Sequence, residues 1–259
     1  MNRTTVPIVS KSSDLWELLQ MDTPLKEVEQ SGALRKTQWT CWGMLVREVF
    51  RLHKDEIMGS STMFQRLALY IKGACDKQIH LQDPERGYDD WDYDDESSKP
   101  YACIPLNVDR FMYLVADAVR AYKGKEKTKF IDAGCGVGDK IVLANMFFDY
   151  TYGVELSKFI ASCGREINNL GSTQILEGDI TTFDFSPYNI VYAYNPIQTE
   201  VGMFKFFKNL VKTAKPGTVC MFANVESGDY ALRKIRKLKI GSKLVRGTSR
   251  HSDHIFVIK

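Results

Sequence analysis

One short stretch of the sequence places a carboxylate and three glycines at alternate positions. Asp132 ends an apolar run, and Gly134, Gly136 and Gly138 follow it. A turn after a strand needs glycine where its backbone angles are closed to other residues, and where a ligand approaches the main chain with no Cβ atom in the way. The helix that follows would present free N–H groups to the same ligand. The spacing therefore predicts a loop that cradles a nucleotide.

Three kinds of nucleotide-binding loop compete for this stretch. A P-loop ends in Gly-Lys-Ser/Thr, whereas Asp139, Lys140 and Ile141 follow the glycines here, so that interpretation fails. The dinucleotide fingerprint G-x-G-x-x-G would place a glycine at position 139; it is weakened but stays open, since its third glycine varies. The pattern acidic-x-G-x-G-x-G matches at every position, and it resembles motif I of the class I S-adenosylmethionine-dependent methyltransferases.

The resemblance extends to carboxylates further along the chain. Glu155 ends a predicted second strand 23 residues after Asp132, the interval of one strand-helix-strand unit, and suits a hydrogen bond to ribose hydroxyls. In the family, the acidic residue that ends the third strand lies beside the adenine amino group, which implies this place for Asp179 and its neighbour Ile180. Cys135 lies among the predicted cofactor residues, and we expect a small buried side chain there rather than a nucleophile.

A candidate catalytic segment follows the predicted fourth strand, at the carboxyl edge where open α/β sheets bind ligands. It reads Tyr194-Asn195-Pro196. In amino-directed methyltransferases, the motif Asn/Asp-Pro-Pro-aromatic holds the nitrogen with a side-chain oxygen and a backbone carbonyl. The resemblance implies this catalytic role, and contact with the cofactor, for Asn195, with Tyr194 as a second candidate. Ile197 replaces the second proline and Gln198 the aromatic, which weakens the case for an enzyme that flips a nucleic-acid base.

Predicted helices and strands alternate from residue 101 to the C-terminus. Helices are predicted over 108–122, 140–148, 157–168 and 200–214, and strands over 152–155, 175–180, 189–196, 218–225, 242–246 and 254–258. The resemblance implies an α/β fold, with a doubly wound, mostly parallel, seven-stranded Rossmann-like sheet and a C-terminal antiparallel hairpin. We expect this methyltransferase domain to span residues 101–259.

An N-terminal helical extension, residues 1–100, is expected before that domain. Ser12 or Ser13 can cap a first helix, and helical periodicity predicts longer helices over 42–52 and 63–74. Such apolar stripes usually serve packing, although an attached segment of this kind can also form a substrate platform.

Two segments carry charge of opposite sign. Residues 83–96 form an acidic loop with eight acidic residues against Arg86, which fits either a solvated linker or a recognition loop for a basic protein segment. Residues 205–259 hold thirteen Lys and Arg against three acidic residues. Many of these basic residues lie in 233–239, which could track a phosphate backbone or form a solvated helix face.

Composition limits the remaining possibilities. The chain has 259 residues, of which 44% are hydrophobic, so it can bury a full core. No run of about 18 apolar residues is present, and the N-terminus lacks the apolar core of a signal peptide, so we expect a soluble, cytoplasmic protein with no membrane partner. The six cysteines are scattered without a C-x-x-C pair, which predicts neither a metal site nor a disulfide framework.

These observations together favour a methyltransferase that acts on nitrogen and uses S-adenosylmethionine as its cofactor. A protein side chain of the lysine type is the favoured acceptor, and nucleic acid or a small molecule is the alternative. Two other classes stay open. One is a non-catalytic S-adenosylmethionine-binding protein, which should be indifferent to substitution of Asn195. The other is a nicotinamide-dependent oxidoreductase, because Glu155 would suit either ribose.

Overall fold

The computed structural model describes residues 9–21, 28, 39–78, 108–197, 199–223, 244–250 and 253–259. The acidic segment 83–96 and the basic segment 233–239 lie outside these residues. The chain divides into two compact units. The first comprises residues 1–83, 107–112 and 145–147, and the second comprises residues 84–106, 113–144 and 148–259.

Helices make up the described part of the first unit before residue 79: α1 (Ser12–Gln20), α2 (Trp39–Gly59) and α3 (Ser61–Gln78). Their buried residues recur three and four positions apart, as Leu15, Leu18 and Leu19 do in α1, and form apolar stripes. The predicted helices are confirmed, and α2 and α3 are longer than predicted. The start of α1 differs, because the Asp14 carboxylate accepts the N–H groups of Ser10 and Lys11, at 3.0 and 3.1 Å, in place of a serine cap.

The second unit is built on a seven-stranded sheet. Its strands are β1 (Lys129–Ala133), β2 (Tyr150–Glu155), β3 (Ile175–Glu177), β4 (Ile190–Tyr194), β5 (Val219–Ala223), β6 (Leu244–Arg250) and β7 (Asp253–Ile258). Their order is β3-β2-β1-β4-β5-β7-β6, with β1 to β5 parallel and β7 antiparallel to both β5 and β6. The predicted sheet with its antiparallel hairpin is confirmed. The strand order reverses between β1 and β4, where α/β sheets bind ligands.

Four further helices are described, α4 (Val108–Ala121), α5 (Asp139–Ala144), α6 (Lys158–Ile167) and α7 (Glu200–Thr213). The predicted cap of α6 is confirmed, since the Ser157 Oγ accepts the N–H of Ile160. Several predicted elements are too long, among them the fourth strand, which spans Ile190–Tyr194 rather than 189–196. The helix after the glycine loop ends at residue 144 rather than 148. Strand β3 ends at residue 177 because the N–H groups of Thr182 and Phe183 donate to the Asp179 carbonyl and close a turn.

An aromatic core holds the C-terminal half of the sheet in place. The rings of Phe207 in α7 and Phe222 in β5 lie 5.0 Å apart, edge to face, and Phe256 of β7 lies 5.7 Å from Phe222. All three side chains are fully buried, and burial of a phenylalanine stabilises a fold by about 1.5–3 kcal/mol. The ends of β4 and β5 therefore rest on a well-packed base. Among the helices described above, none is both long and apolar enough to cross a bilayer.

Candidate active site

The three motif glycines all take backbone angles that favour glycine. Their φ angles are +81° at Gly134, +55° at Gly136 and +88° at Gly138. A side chain at these angles crowds the backbone, so the sequence pattern follows from the path of the chain. At Gly134 there is a second reason, because an added Cβ would lie 2.8 Å from the Cβ of Pro196. The glycine loop thus lies directly against the residue after Asn195.

Backbone and carboxylate bonds tie this loop to the end of β2. The N–H groups of Gly134 and Cys135 both donate to the Val154 carbonyl, at 2.9 and 3.1 Å. The N–H of Gly136 donates to Glu155 Oε2 at 3.0 Å, and the other oxygen of that carboxylate accepts the Ser157 N–H at 3.0 Å. Glu155 is buried, and burial raises the pKa of its carboxyl while these amide bonds lower it. The predicted ribose residue therefore also holds the loop.

Helix α6 supports the other side of the loop. A Cβ added at Gly164 would lie 2.6 Å from the carbonyl oxygen of Val137, so only glycine allows this approach. The side-chain amide of Asn168 donates to the same carbonyl at 2.7 Å and to Asp139 Oδ1 at 3.3 Å. Sequence reasoning missed both supports. An isolated glycine inside a helical pattern was the available signal, because such a glycine often marks close packing.

Cys135 behaves as a packing residue. Its side chain is buried, and Gly153 of β2 provides the space, since a Cβ there would lie 2.5 Å from the Cys135 Sγ. Burial, and then the nearby Asp132 and Glu155, raises the pKa of the Cys135 thiol well above its ordinary value. The thiol is therefore protonated at neutral pH, which agrees with the expectation of a small side chain rather than a nucleophile.

Asp132 carries a buried carboxylate with an unsatisfied oxygen. The side chain is only 1% exposed, and its Oδ2 has no hydrogen-bond partner among the described residues. Burial raises the pKa of this carboxyl to about 7; Lys140 acts in the opposite direction, whereas Glu155 and Asp139 add to the rise. An orphaned acceptor of this kind suits a cationic or hydrogen-bond-donating ligand.

Lys140 is a further residue of the site, which the sequence did not predict. Lys140 lies in the first turn of α5 and is only 8% exposed. Its Nζ lies 5.9 Å from the centroid of the Tyr194 ring, within the range of a cation–π contact. The candidate aromatic residue is thus half-buried, and one face of its ring meets an ammonium group.

Asn195 lies just past the end of β4 in an uncommon conformation. Its φ angle is +37°, its side chain is buried, and its N–H donates to the Ala223 carbonyl at 3.1 Å. Such a conformation costs about 1–3 kcal/mol for a residue other than glycine and concentrates at functional sites. In the sheet register, Asp132 of β1 faces Tyr192 of β4, three positions before Asn195. The structure thus brings the predicted catalytic and cofactor residues to one edge.

The third predicted element of the site is arranged differently. Asp179 is exposed, and its carboxylate accepts the N–H and the hydroxyl of Thr181, at 2.7 and 2.8 Å. Ile180 is buried in the core cluster that also contains Phe185. Contact of Asp179 and Ile180 with adenine stays a prediction. Within the described residues, no group of His, Cys, Asp and Glu side chains could hold a metal ion.

Comparison with known proteins gives structural but not sequence matches. A scan against protein-family models finds no match, and neither does a search of curated proteins. A similar solved structure is CalS10, an amino pentose methyltransferase from Micromonospora echinaspora with S-adenosylmethionine bound. It is 21% identical over 44% of this chain and 50% of CalS10, with a TM-score of 0.37. The chain thus spans half the length of CalS10.

Two further solved structures are similar over a larger share of their length. The sugar N-methyltransferase KedS8 from a Streptoalloteichus species is 11% identical over 58% of this chain and 87% of KedS8, with a TM-score of 0.44. An RNA methyltransferase from Salinibacter ruber in complex with S-adenosyl-L-homocysteine is 17% identical over 59% of this chain and 91% of its own, with a TM-score of 0.41. The acceptors named for these three proteins range from sugars to RNA.

Proposed function

We propose that the chain is an S-adenosylmethionine-dependent methyltransferase that acts on nitrogen. One observation carries the proposal. A loop that needs its three glycines meets, at the edge where β1 and β4 end, the buried Asp132 carboxylate and the strained backbone of Asn195. A tight connection between two elements would not by itself require an orphaned carboxylate and an unusual backbone at the same place.

The residues present fit the proposed cofactor. A buried charged group without a partner is destabilising, by more than the roughly 1–3 kcal/mol of an unmade neutral hydrogen bond, so Asp132 suits the cationic end of the cofactor. The Glu155 oxygens each bind one amide and have capacity for a ribose hydroxyl. The glycine loop would admit the cofactor to the main chain. When bound, the cofactor supplies a methyl group on a positively charged sulfur, activated for direct displacement.

Asn195 would position the acceptor. Direct displacement asks a protein chiefly to align the nucleophile and to remove, or wait for the loss of, one proton. The side-chain oxygen of Asn195 can accept a hydrogen bond from an amine N–H, which fixes the direction of the nitrogen lone pair. The bond from the Asn195 N–H to β5 holds the residue at the end of the sheet. Methyl transfer therefore needs little acid–base machinery from this chain.

A protein side chain of the lysine type is our favoured acceptor, with nucleic acid or a small molecule as the alternative. Gln198 occupies the position where base-flipping enzymes carry the aromatic residue on which the base stacks. One face of the Tyr194 ring already carries the Lys140 ammonium, so that face is not open to a stacked base. An extended amine needs no such stacking surface. The acidic segment 83–96 would supply complementary charge for a basic protein segment.

Cofactor binding is the first test. Purified protein should bind S-adenosylmethionine in equilibrium dialysis, and S-adenosylhomocysteine should displace it. Gly136→Arg should abolish binding, because a side chain is strained at the φ of +55° and a long one would fill the space through which the ligand approaches the main chain. Binding of a nicotinamide dinucleotide that S-adenosylhomocysteine does not displace would refute the proposal in favour of an oxidoreductase.

Methyl transfer is the second test. Tritiated methyl from S-adenosylmethionine should enter a macromolecule in cell lysate, with Gly136→Arg as the blank. Label lost on protease treatment supports a protein acceptor, and label lost on nuclease treatment refutes it. Asn195→Ala should keep cofactor binding and lose most of the transfer. Binding without any transfer by the unmodified protein, in lysate and with small amines, would identify a non-catalytic binding protein.

A further inference from the structure

Lys140 is an unusual residue to find buried beside the predicted cofactor loop. Lysine is among the side chains least often buried unless they are paired, yet Lys140 is only 8% exposed. Its ammonium lies 5.9 Å from the centre of the Tyr194 ring. It also acts electrostatically on the Asp132 carboxyl. Lys140 thus contacts Tyr194 at the end of β4 and acts electrostatically on Asp132 in β1.

The sheet register explains how one lysine reaches both strands. Asp132 faces Tyr192 across the β1–β4 pair. Alternate residues of a strand point to the same face, so Tyr194, two residues after Tyr192, projects to the face that carries Asp132. Lys140 extends from α5 to the same place.

The charges around Asp132 are unbalanced. Asp139 on α5 and Glu155 on β2 both disfavour ionisation of Asp132, and the buried thiol of Cys135 is a further titratable group facing it. Of the groups that act on Asp132 within the described residues, Lys140 is the one that carries positive charge. Removal of its ammonium would leave the effect of Glu155 and Asp139 on Asp132 unopposed, so the pKa of Asp132 would rise further.

We propose that Lys140 is a positioning residue of the cofactor site, whose ammonium favours the ionised form of the Asp132 carboxyl and anchors the Tyr194 ring beside it. A neutral carboxylic acid at position 132 would not attract a cation. Lys140 therefore sets the pH range in which the site accepts its positively charged ligand. The inference rests on the proposed function only for the identity of that ligand, because the electrostatic effect of Lys140 on Asp132 does not depend on any bound molecule.

The test uses two variants of the lysine and a matched control. Lys140→Met removes the charge and keeps most of the length, Lys140→Arg keeps the charge, and Lys208→Met removes an exposed lysine of α7. The dissociation constant for S-adenosylmethionine is measured by calorimetry at pH 6.5, 7, 8 and 9. We expect Lys140→Met to weaken binding about fivefold at pH 7 and less than twofold at pH 9, where Asp132 ionises without help. Lys140→Arg and Lys208→Met should follow the unmodified protein.

A second measurement does not depend on the cofactor. Carbon-13 NMR of labelled aspartate carboxyls, with the Asp132 signal assigned from its loss in Asp132→Asn, reports the titration of Asp132 directly. We expect Lys140→Met, or Lys140→Gln if the methionine variant does not fold, to move that titration to higher pH. Equal weakening of binding at every pH, or an unmoved Asp132 titration, would overturn the proposal. If the unmodified protein binds no S-adenosylmethionine, the proposed function fails while the NMR titration still decides the role of Lys140.

Discussion

Replacement of Asp132 by asparagine is expected to stabilise the cofactor-free protein and at the same time to weaken cofactor binding. The pKa of this carboxyl is raised from 3.8 to about 7, chiefly because burial penalises the charged form. Each pKa unit corresponds to about 1.4 kcal/mol, so the ionised carboxylate lowers the free energy of unfolding by on the order of 4 kcal/mol above pH 7. Asparagine removes this cost but leaves a buried amide without a partner, which costs about 1–3 kcal/mol. We expect a net stabilisation of about 2 kcal/mol at pH 8.

The effect should depend on pH with a definite sign. Below pH 3.8, Asp132 is protonated in the folded and unfolded chains alike, and its ionisation has no influence on stability. Between pH 3.8 and about 7 the folded chain retains a proton that the unfolded chain releases, so the unmodified protein loses stability as the pH rises. Above that range the cost is constant. The advantage of Asp132→Asn should therefore grow by about 2–3 kcal/mol between pH 5 and pH 8.

Hydrogen exchange of the amides in β1 and β4 is the suitable assay, because it reports directly on the strand that carries Asp132 and on the strand paired with it. Glu166→Gln, which removes an exposed carboxylate of α6, is the control and should show no comparable growth with pH. S-adenosylmethionine at 100 times its dissociation constant should stabilise the unmodified protein by about 2.7 kcal/mol. It should stabilise Asp132→Asn much less. An advantage of Asp132→Asn that is the same at pH 5 and pH 8 would refute the account of a buried charge.

Three further predictions concern glycine packing and thiol reactivity. Gly134→Ala should destabilise the protein by about 1–2 kcal/mol more than Gly217→Ala, and of the two variants only Gly134→Ala should impair cofactor binding. Both residues have a φ above +80°, but nothing lies within 4 Å of a Cβ at Gly217. Denaturation and binding titrations check this prediction, and equal losses would contradict it. Gly164→Ala, whose Cβ meets the Val137 carbonyl at 2.6 Å, should cost about 1–3 kcal/mol and weaken cofactor binding, whereas Gly171→Ala should be near neutral. In timed alkylation followed by peptide mass spectrometry, the half-buried Cys163 should react before the two buried thiols of the described residues, and the reverse order would contradict the packing described.

The glycine motif could be predicted from the sequence because the backbone itself dictates it. Left-handed backbone angles at alternate positions of one turn favour glycine at each of them. The carboxylate before the turn and the spacing to Glu155 follow from one strand-helix-strand unit. Apolar runs and helical periodicity predicted where strands and helices lie in the second unit, whereas the seven-stranded sheet and its antiparallel hairpin were implied by the family resemblance.

Contacts between distant segments could not be predicted in this way. Asn168 supports the loop 31 residues before it, and nothing in its local sequence distinguishes it from a polar residue that ends a helix. Lys140 reads as a solvated lysine of the first helical turn until the structure places its ammonium over Tyr194. The role of Asp179 could not be predicted for a different reason. Its place at the end of a strand fits adenine recognition and a local turn with Thr181 equally well.

Two costly features of the second unit fall at one place. Asp132 is buried with an unsatisfied oxygen, and Asn195 holds a left-handed backbone, each at a cost of about 1 kcal/mol or more. Both lie at the edge where β1 and β4 end. Stability alone would favour an asparagine in place of Asp132 and a glycine in place of Asn195. In the proposed function, the positive charge of the cofactor would face Asp132 and Asn195 would position the acceptor, so both features would serve one site.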